Sequence, residues 1–216
     1  MKIVAFVPLK LNNDRLPGKN LKPFDNGKPL LTYILNTALE TPMIDEIYVY
    51  CSDESVTEFI PEGVKYLTRP STLDQSTTSI TEVISSFTQT VEADIYVLIH
   101  ATAPFISVQS INAGIQAVQQ GFDSAISVKK QQEFYWIEGK PVNYDIYNIP
   151  RIQDLTPIFI ETTGMYIFNS VLAKQNRRVG EKPFLVEVSD IEAVDINNPS
   201  DWDIANAIFN HIILKK

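Results

Sequence analysis

The chain has 216 residues, 44% hydrophobic and 20% charged, with a formal net charge of -8. That length and apolar content supply a substantial core for one domain and exclude a disordered chain. The acidic balance argues against sequence-independent nucleic-acid binding, which needs a basic footprint, and the single cysteine, Cys51, rules out an intrachain disulfide framework and a cysteine zinc site.

The first apolar run, Ile3-Val4-Ala5-Phe6-Val7, stops at Pro8 and reads as a buried strand. The loop after it holds Lys10, Asn12, Asn13, Arg15, Gly18, Lys19 and Asn20. A strand feeding a cationic, glycine-containing loop suits a triphosphate: the strand fixes the loop, glycine permits close backbone approach, and the cations face phosphate oxygens. Neither GxxxxGK[ST] nor GxGxxG is present, so this is neither a Walker A loop nor a dinucleotide fingerprint. Lys10, Arg15, Lys19 and Lys22 concentrate positive charge here, as an acidic protein that binds an anion requires.

Further strands are expected at EIYVYCS, VKYLTR, DIYVLIHA and SAISVKK, and helices over Pro29 to Glu40, Ser52 to Ile60, Ser79 to Val91 and Val108 to Gly121. Leu30, Leu31, Ile34, Leu35 and Ala38 form one helical stripe, and Gly121 is a stop signal. The strands are apolar at nearly every position, as in a sheet covered on both faces. Strand-helix alternation predicts a three-layer α/β fold with a mostly parallel sheet, in which ligands bind beyond the carboxyl ends of the strands. The cationic loop, Arg69 and His100 all fall at such ends.

Periodicity weakens between Gln131 and Thr163. This stretch reads as short antiparallel strands and loops inserted into the sheet, with a turn at Glu138-Gly139-Lys140. It is either an ordinary surface excursion or a small lobe that covers a substrate and touches a second subunit. Its aromatics, Phe134, Tyr135, Trp136, Tyr144 and Tyr147, favour burial. A strand at GMYIF, a helix, a strand at FLVEV and a helix from Pro199 through Ile213 follow. No signal-like or membrane-length apolar stretch is seen, so the cytoplasm is the expected compartment, without membrane or nucleic-acid partners.

The loop Pro8-Leu9-Lys10-Leu11-Asn12-Asn13-Asp14-Arg15-Leu16-Pro17-Gly18-Lys19-Asn20 resembles the signature P-A-R-x-x-S-x-R-L-P-x-K-N of the acylneuraminate cytidylyltransferases (CMP-sialic acid synthetases), with Lys10 and Asn13 in place of arginine and serine. Three later segments extend the likeness. RPSTLDQSTTS, from Arg69 to Ser79, resembles RPxxLAxDxxS, and LIHATAPF resembles LLQPTSPLR with His100 at the glutamine position. Pro150-Arg151-Ile152-Gln153-Asp154-Leu155, ahead of Glu161-Thr162-Thr163-Gly164, resembles PRxQxL. Finally, Val194-Asp195-Ile196-Asn197-Asn198-Pro199-Ser200-Asp201 resembles D-I-D-x-x-x-D, with Asn197 at the second aspartate.

The resemblance implies a three-layer α/β/α nucleotide-diphospho-sugar transferase (Rossmann-like) fold over residues 1–216, with an inserted lobe at about 131–163, in a homodimer. It implies a CTP-dependent enzyme that activates a 2-keto-3-deoxy sugar acid, such as a nonulosonic acid, to its CMP-sugar with release of pyrophosphate. Lys19, Arg15 and Lys10 would neutralise the phosphates; Leu9, Lys10, Asn20, Arg69 and Ser79 would contact the nucleotide. His100, Arg151, Gln153 and Thr162 would hold the sugar acid, with Arg151 pairing with its carboxylate, from across a dimer interface in one reading. Asp195 and Asn197, alternate residues of one segment, would share a face and hold Mg²⁺. Two bland roles stand beside these: His100 as a structural imidazole at a strand end, and Ser79 as a helix cap. The departures at Lys10, His100 and Asn197 also admit a different sugar or nucleotide, or a binding protein with weakened turnover.

Overall fold

The computed structural model describes residues 1–13 and 15–214. Seven strands form one sheet: β1 (Ile3–Leu9), β2 (Glu46–Cys51), β3 (Lys65–Thr68), β4 (Ile95–Ile99), β5 (Ser124–Gln131), β8 (Ile158–Asn169) and β9 (Pro183–Glu187). Their order across the sheet is β3-β2-β1-β4-β8-β5-β9, and only β8 runs against its neighbours. The expected mixed α/β, mostly parallel architecture is therefore present. The order reverses between β1 and β4, where a crevice opens at the carboxyl ends.

The apolar runs reflect a sheet covered on both faces. Along β1, Ile3, Ala5, Val7 and Leu9 face one core and Val4 and Phe6 the other. Helices α1 (Leu30–Leu39) and α3 (Val108–Gln119) cover the first face through Leu31, Ile34, Leu35, Ile111 and Ile115. Helices α2 (Ile80–Thr90) and α4 (Ser170–Lys174) cover the second through Val83, Ile84, Phe87 and Leu172. Cys51 is buried in the first core, and burial pushes its thiol pKa up.

A third apolar cluster positions the site. Helix α5 (Pro199–Ile208), continued by a π turn over Phe209–Ile213, docks Trp202, Ala205 and Phe209 onto Phe24 and Leu30. The Phe24 ring lies 4.8 Å from that of Trp202 and 5.2 Å from that of Phe209, within the range of favourable aromatic pairs. Ile196, just before α5, is buried in the same cluster, so the 194–197 segment is pinned beside the β1 loop.

Three expectations change. The stretch Ser52 to Ile60 forms a 3-10 helix over Glu54–Phe59, with Asp53 capping through Ser55 N, instead of an α-helix. The inserted segment enters the sheet only at its ends, where residues 158–161 pair antiparallel with β5; between them β6 (Trp136–Ile137) and β7 (Lys140–Pro141) form a separate hairpin whose Glu138 and Gly139 take positive φ, as a two-residue turn demands. Its aromatics are not uniformly buried either; Trp136 is 56% and Tyr147 92% exposed, while Phe134, Tyr135 and Tyr144 are half-buried. Among the described residues nothing packs over these two rings deeply enough to remove them from water.

Candidate functional site

The β1 loop folds back over the end of its own strand. Gly18 has φ +66, and a Cβ there would meet nothing within 4 Å. Its glycine is thus explained by the left-handed turn that opens the 3-10 helix Lys19–Leu21, and not by a close approach. That turn buries Lys19 and Asn20. Asn20 Nδ2 donates to Lys10 O at 3.1 Å, closing the loop on itself.

Lys19, 8% exposed, reaches across and donates from Nζ to Ile196 O at 2.8 Å. Burial lowers its pKa; Arg15 pushes the same way, while Asp195 and Asp201 oppose. Because Ile196 points into the apolar cluster, Asp195 and Asn197 turn to the other side together, as expected for alternate residues. Asn197 Nδ2 donates to Asp195 Oδ2 at 2.6 Å, and Arg15 Nη2 donates to Asn197 Oδ1 at 2.9 Å. Ile196 N donates to Thr102 O at 2.8 Å, tying the segment to the β4 loop. Asp201 supplies the capping box of α5 with Asn198 and also accepts from Asn197 N.

The opposite wall comes from β4 and β8. His100 follows β4, and its N donates to Gly164 O at 3.1 Å. Between Ile126 and Val128 the β5–β8 register shifts, and residues 162–165 bulge opposite Ser127. Ser127 stitches this bulge: its Oγ accepts from Thr162 Oγ1 at 2.7 Å and from Met165 N at 3.1 Å. The bulge forces Thr163 to φ +58, a conformation costly for a β-branched residue. It aims Thr163 Oγ1 at Asp195 Oδ2, which accepts at 3.1 Å.

Pro8, Leu9, Lys10, Asn13, Lys19, Asn20, His100, Thr163, Arg178, Asp195 and Asn197 line most of a cleft of about 280 Å³. A second hollow of about 210 Å³ adjoins it through Pro8, Lys10 and His100 and extends to Arg69, Gln75, Ser76 and Thr78. Arg69, 4% exposed, pairs with Asp74. A larger hollow of about 610 Å³ lies near Lys2, Asp94 and Lys174, at the amino ends of the strands. The chemistry marks the carboxyl end instead. Among the described residues six buried side-chain atoms lack a hydrogen-bond partner, and four of them are Asn20 Oδ1, Arg69 Nε, His100 Nε2 and Asp195 Oδ1. Buried polar atoms are costly when unpaired, so four in one crevice signal a polar ligand.

His100 is half-exposed as a residue, yet its Nε2 is sealed from solvent. Burial, helped by Arg178 and Lys19 and opposed by Asp195, lowers its pKa to about 4. It is therefore neutral near pH 7, a hydrogen-bonding ring and not a store of charge.

Leu9, Lys10, Arg15, Lys19, Asn20, Arg69, His100, Asp195 and Asn197 thus converge on the two hollows or on the residues that wall them. Four expected residues do not. Ser79 Oγ is occupied with Glu82 in the capping box of α2, and its neighbours Ser76 and Thr78 line the hollow instead. Thr162 is buried against Ser127, and the bulge hands its place to Thr163. Arg151 is exposed and forks onto Asp154 at 2.7 Å and 2.9 Å; Gln153 is exposed beside it. Sequence reading missed Thr163 and Arg178. The first needed the bulge register; the second sits between two elements with no motif to flag it.

Comparison with known proteins identifies the family and the fold. The family model for Cytidylyltransferase matches residues 4–171. N-acylneuraminate cytidylyltransferase A of Danio rerio is 25% identical over 214 residues, covering 94% of this chain and 50% of that protein. The chain thus spans about half the length of that relative. The CMP-N,N'-diacetyllegionaminic acid synthase of Legionella pneumophila is 23% identical and covers 96% of both chains. A solved CMP:2-keto-3-deoxy-manno-octonic acid synthetase, complexed with CTP, superposes with a TM-score of 0.75 at 18% identity, over 97% of this chain and 99% of that one, which establishes a shared fold. With the family model matching well over half of its length, the chain belongs to the cytidylyltransferase family.

Proposed function

We propose that this protein transfers CMP from CTP to the anomeric hydroxyl of a 2-keto-3-deoxy sugar acid, releasing pyrophosphate. The observation that carries this reading is the convergence of Lys10, Arg15 and Lys19 with the unpartnered Asp195 Oδ1 at the switch point between β1 and β4. The hollow around Arg69, Ser76 and Thr78 would take the nucleoside, and the cleft beyond His100 the sugar acid. The anomeric oxygen attacks the α-phosphorus, the bond from that phosphorus to the bridging oxygen breaks, and pyrophosphate departs with the electron pair. The hydroxyl proton is given up to solvent or phosphate oxygen; His100, weakly basic, orients the acceptor instead of taking that proton. Lys10, Arg15 and Lys19 offset charge on the leaving group, so the protein's contribution is positioning and electrostatics.

The residues present fit Mg²⁺. Asp195 Oδ1 is a carboxylate oxygen with no partner, and Mg²⁺ is ordinarily held by one or two carboxylates with substrate phosphates and water. Asp195 would hold it, with the Asn197 carbonyl oxygen as a neutral second donor in place of Arg15's present bond. Bound there, the ion would neutralise phosphoryl charge. A homodimer is supported by the apolar Trp136, Ile137, Val142 and Tyr147 exposed on the inserted segment. Arg151 and Gln153, exposed on the same segment, would reach a sugar acid only in the partner's cleft.

The test is Mg²⁺-dependent pyrophosphate release from CTP with a panel of sialic, legionaminic, pseudaminic and octulosonic acids. Release with one acid supports the reading and names the sugar. CTP binding with silence across the panel points to a binding protein or another acceptor, and absence of CTP binding refutes the nucleotide assignment.

A further inference from the structure

Among the described residues, the non-glycine positions with positive φ are Glu138, Thr163 and Asn176. A turn explains two of them. Glu138 sits in the hairpin turn between β6 and β7, and Asn176 ends α4, its N donating to Ala173 O at 2.9 Å. Thr163 lies inside β8 and is the one β-branched residue of the three. A left-handed backbone crowds a branched Cβ, so glycine would fill the position at least cost. What threonine adds over glycine is a methyl group and a hydroxyl. The hydroxyl is in use: Thr163 Oγ1 donates to Asp195 Oδ2 at 3.1 Å.

Both flanks of Thr163 are fixed, so its backbone has no room to relax. Thr162 Oγ1 donates to Ser127 Oγ at 2.7 Å, and the same oxygen accepts from Met165 N at 3.1 Å. Gly164 O accepts from His100 N at 3.1 Å, and a Cβ on Gly164 would stand 2.9 Å from Ala103 Cβ and 3.1 Å from the Ile106 side chain. The β4 loop that receives Gly164 also holds the other partner. Ile196 N donates to Thr102 O at 2.8 Å, and Ile196 is buried in the third apolar cluster. One loop therefore sets the spacing between the Thr163 hydroxyl and the Asp195 carboxylate. A strained residue persists where its surroundings over-determine it, and such residues gather where a side chain must be held in one place.

The consequence falls on the carboxylate. Asp195 Oδ2 accepts from Thr163 Oγ1 on the β8 side and from Asn197 Nδ2, at 2.6 Å, on its own segment. Two donors on one oxygen, arriving from different elements, hold the carboxylate against rotation. Oδ1 is left without a partner and shielded from solvent. A metal ligand oriented by such outer partners binds its ion more tightly, and loss of one partner costs about 10- to 100-fold in metal affinity. We infer that Thr163 is the positioning residue of the cation site: its hydroxyl, held out by a left-handed turn, locks Asp195 with Oδ1 presented to the divalent cation that accompanies CTP.

This inference rests on the reading of Asp195 as the Mg²⁺ ligand, and the experiment separates the two. Mn²⁺ replaces Mg²⁺ as a paramagnetic probe. Its dissociation constant from the enzyme–CTP complex is read by electron paramagnetic resonance with no acceptor present, so turnover does not enter. Wild type that forms no such complex, or Asp195→Ala that binds Mn²⁺ as wild type does, refutes the metal reading and the inference with it. Where Asp195→Ala weakens binding, Thr163→Val decides the inference alone. This variant keeps the branched shape and removes the hydroxyl; it should weaken Mn²⁺ binding on the order of tenfold, with Thr163→Ser within about threefold of wild type. In the Asp195→Ala background Thr163→Val should cause no further loss, because it acts through that carboxylate. Thr163→Gly removes hydroxyl and strain together, so it should bind Mn²⁺ as weakly as Thr163→Val yet melt about 2–4 °C above it. A variant that binds weakly while melting higher is not a misfolded one. Mn²⁺ binding by Thr163→Val within about twofold of wild type, or an equal loss in the Asp195→Ala background, overturns the assignment.

Discussion

Lys19 offers the sharpest test of the electrostatic mechanism. It is almost fully buried, its Nζ is bound to Ile196 O at 2.8 Å, and burial lowers its pKa. A cation held in a site partly closed to water acts on a nearby phosphate more strongly than one in bulk solvent. Replacing it with methionine keeps the aliphatic stem and removes the charge. The lost charge-assisted hydrogen bond costs about 1.5–3 kcal/mol, offset in part because an ammonium no longer has to be desolvated. Net destabilisation of about 1–2 kcal/mol leaves a domain of ordinary stability, about 5–15 kcal/mol, folded. Removal of a preorganised donor at developing charge costs about 3–4 kcal/mol in the transition state, so kcat should fall on the order of 10²- to 10³-fold. The assay is coupled pyrophosphate release at saturating CTP and acid, with a thermal melt and a CTP titration on the same preparation. Turnover by Lys19→Met within about threefold of wild type, in a protein that melts normally, would refute the reasoning. So would a loss of turnover that follows the melting temperature alone.

Two further outcomes follow, one from each wall of the site. His100 has a folded pKa of about 4 against an ordinary 6.5, so between those values the unfolded chain binds more protons and stability rises with pH. This contribution is complete above pH 6.5 and is lost as pH falls toward 4, with a slope of at most about 1.4 kcal/mol per pH unit. Urea melts of wild type and His100→Gln at pH 7 and pH 5 should therefore converge or cross in favour of the variant at pH 5; parallel behaviour at both would disprove the buried neutral imidazole. At Asn197, the amide donates to Asp195 at 2.6 Å, so Asn197→Asp sets two carboxylates against each other with Arg15 as partial relief. Without divalent cation the variant should lose about 1–3 kcal/mol of stability, read by melting in EDTA. Its Mg²⁺ requirement for pyrophosphate release should drop roughly tenfold, since carboxylate charge favours the ion; an unchanged Mg²⁺ titration would detach this pair from the metal.

The sequence by itself determined the local chemistry. The RLPGKN turn, the apolar strands buried on both faces, the Asp195–Asn197 alternation and the helix cap at Ser79 all depend on neighbours within a few residues. Periodicity and side-chain type suffice there, because steric and hydrogen-bond rules act over one turn or one pleat. The family likeness extended that reading to sites far apart in the chain. The tertiary structure decided what depends on pairing between distant segments. The reversed β8 and its bulge move the site contact from Thr162 to Thr163, because side-chain direction follows register. The hairpin over Trp136–Pro141 stands apart from the sheet, and Arg151 lies at the surface of its own chain, paired with Asp154. Arg178 is carried to the cleft by a long side chain laid across Tyr166, a placement set by packing between two elements rather than by any spacing in the sequence.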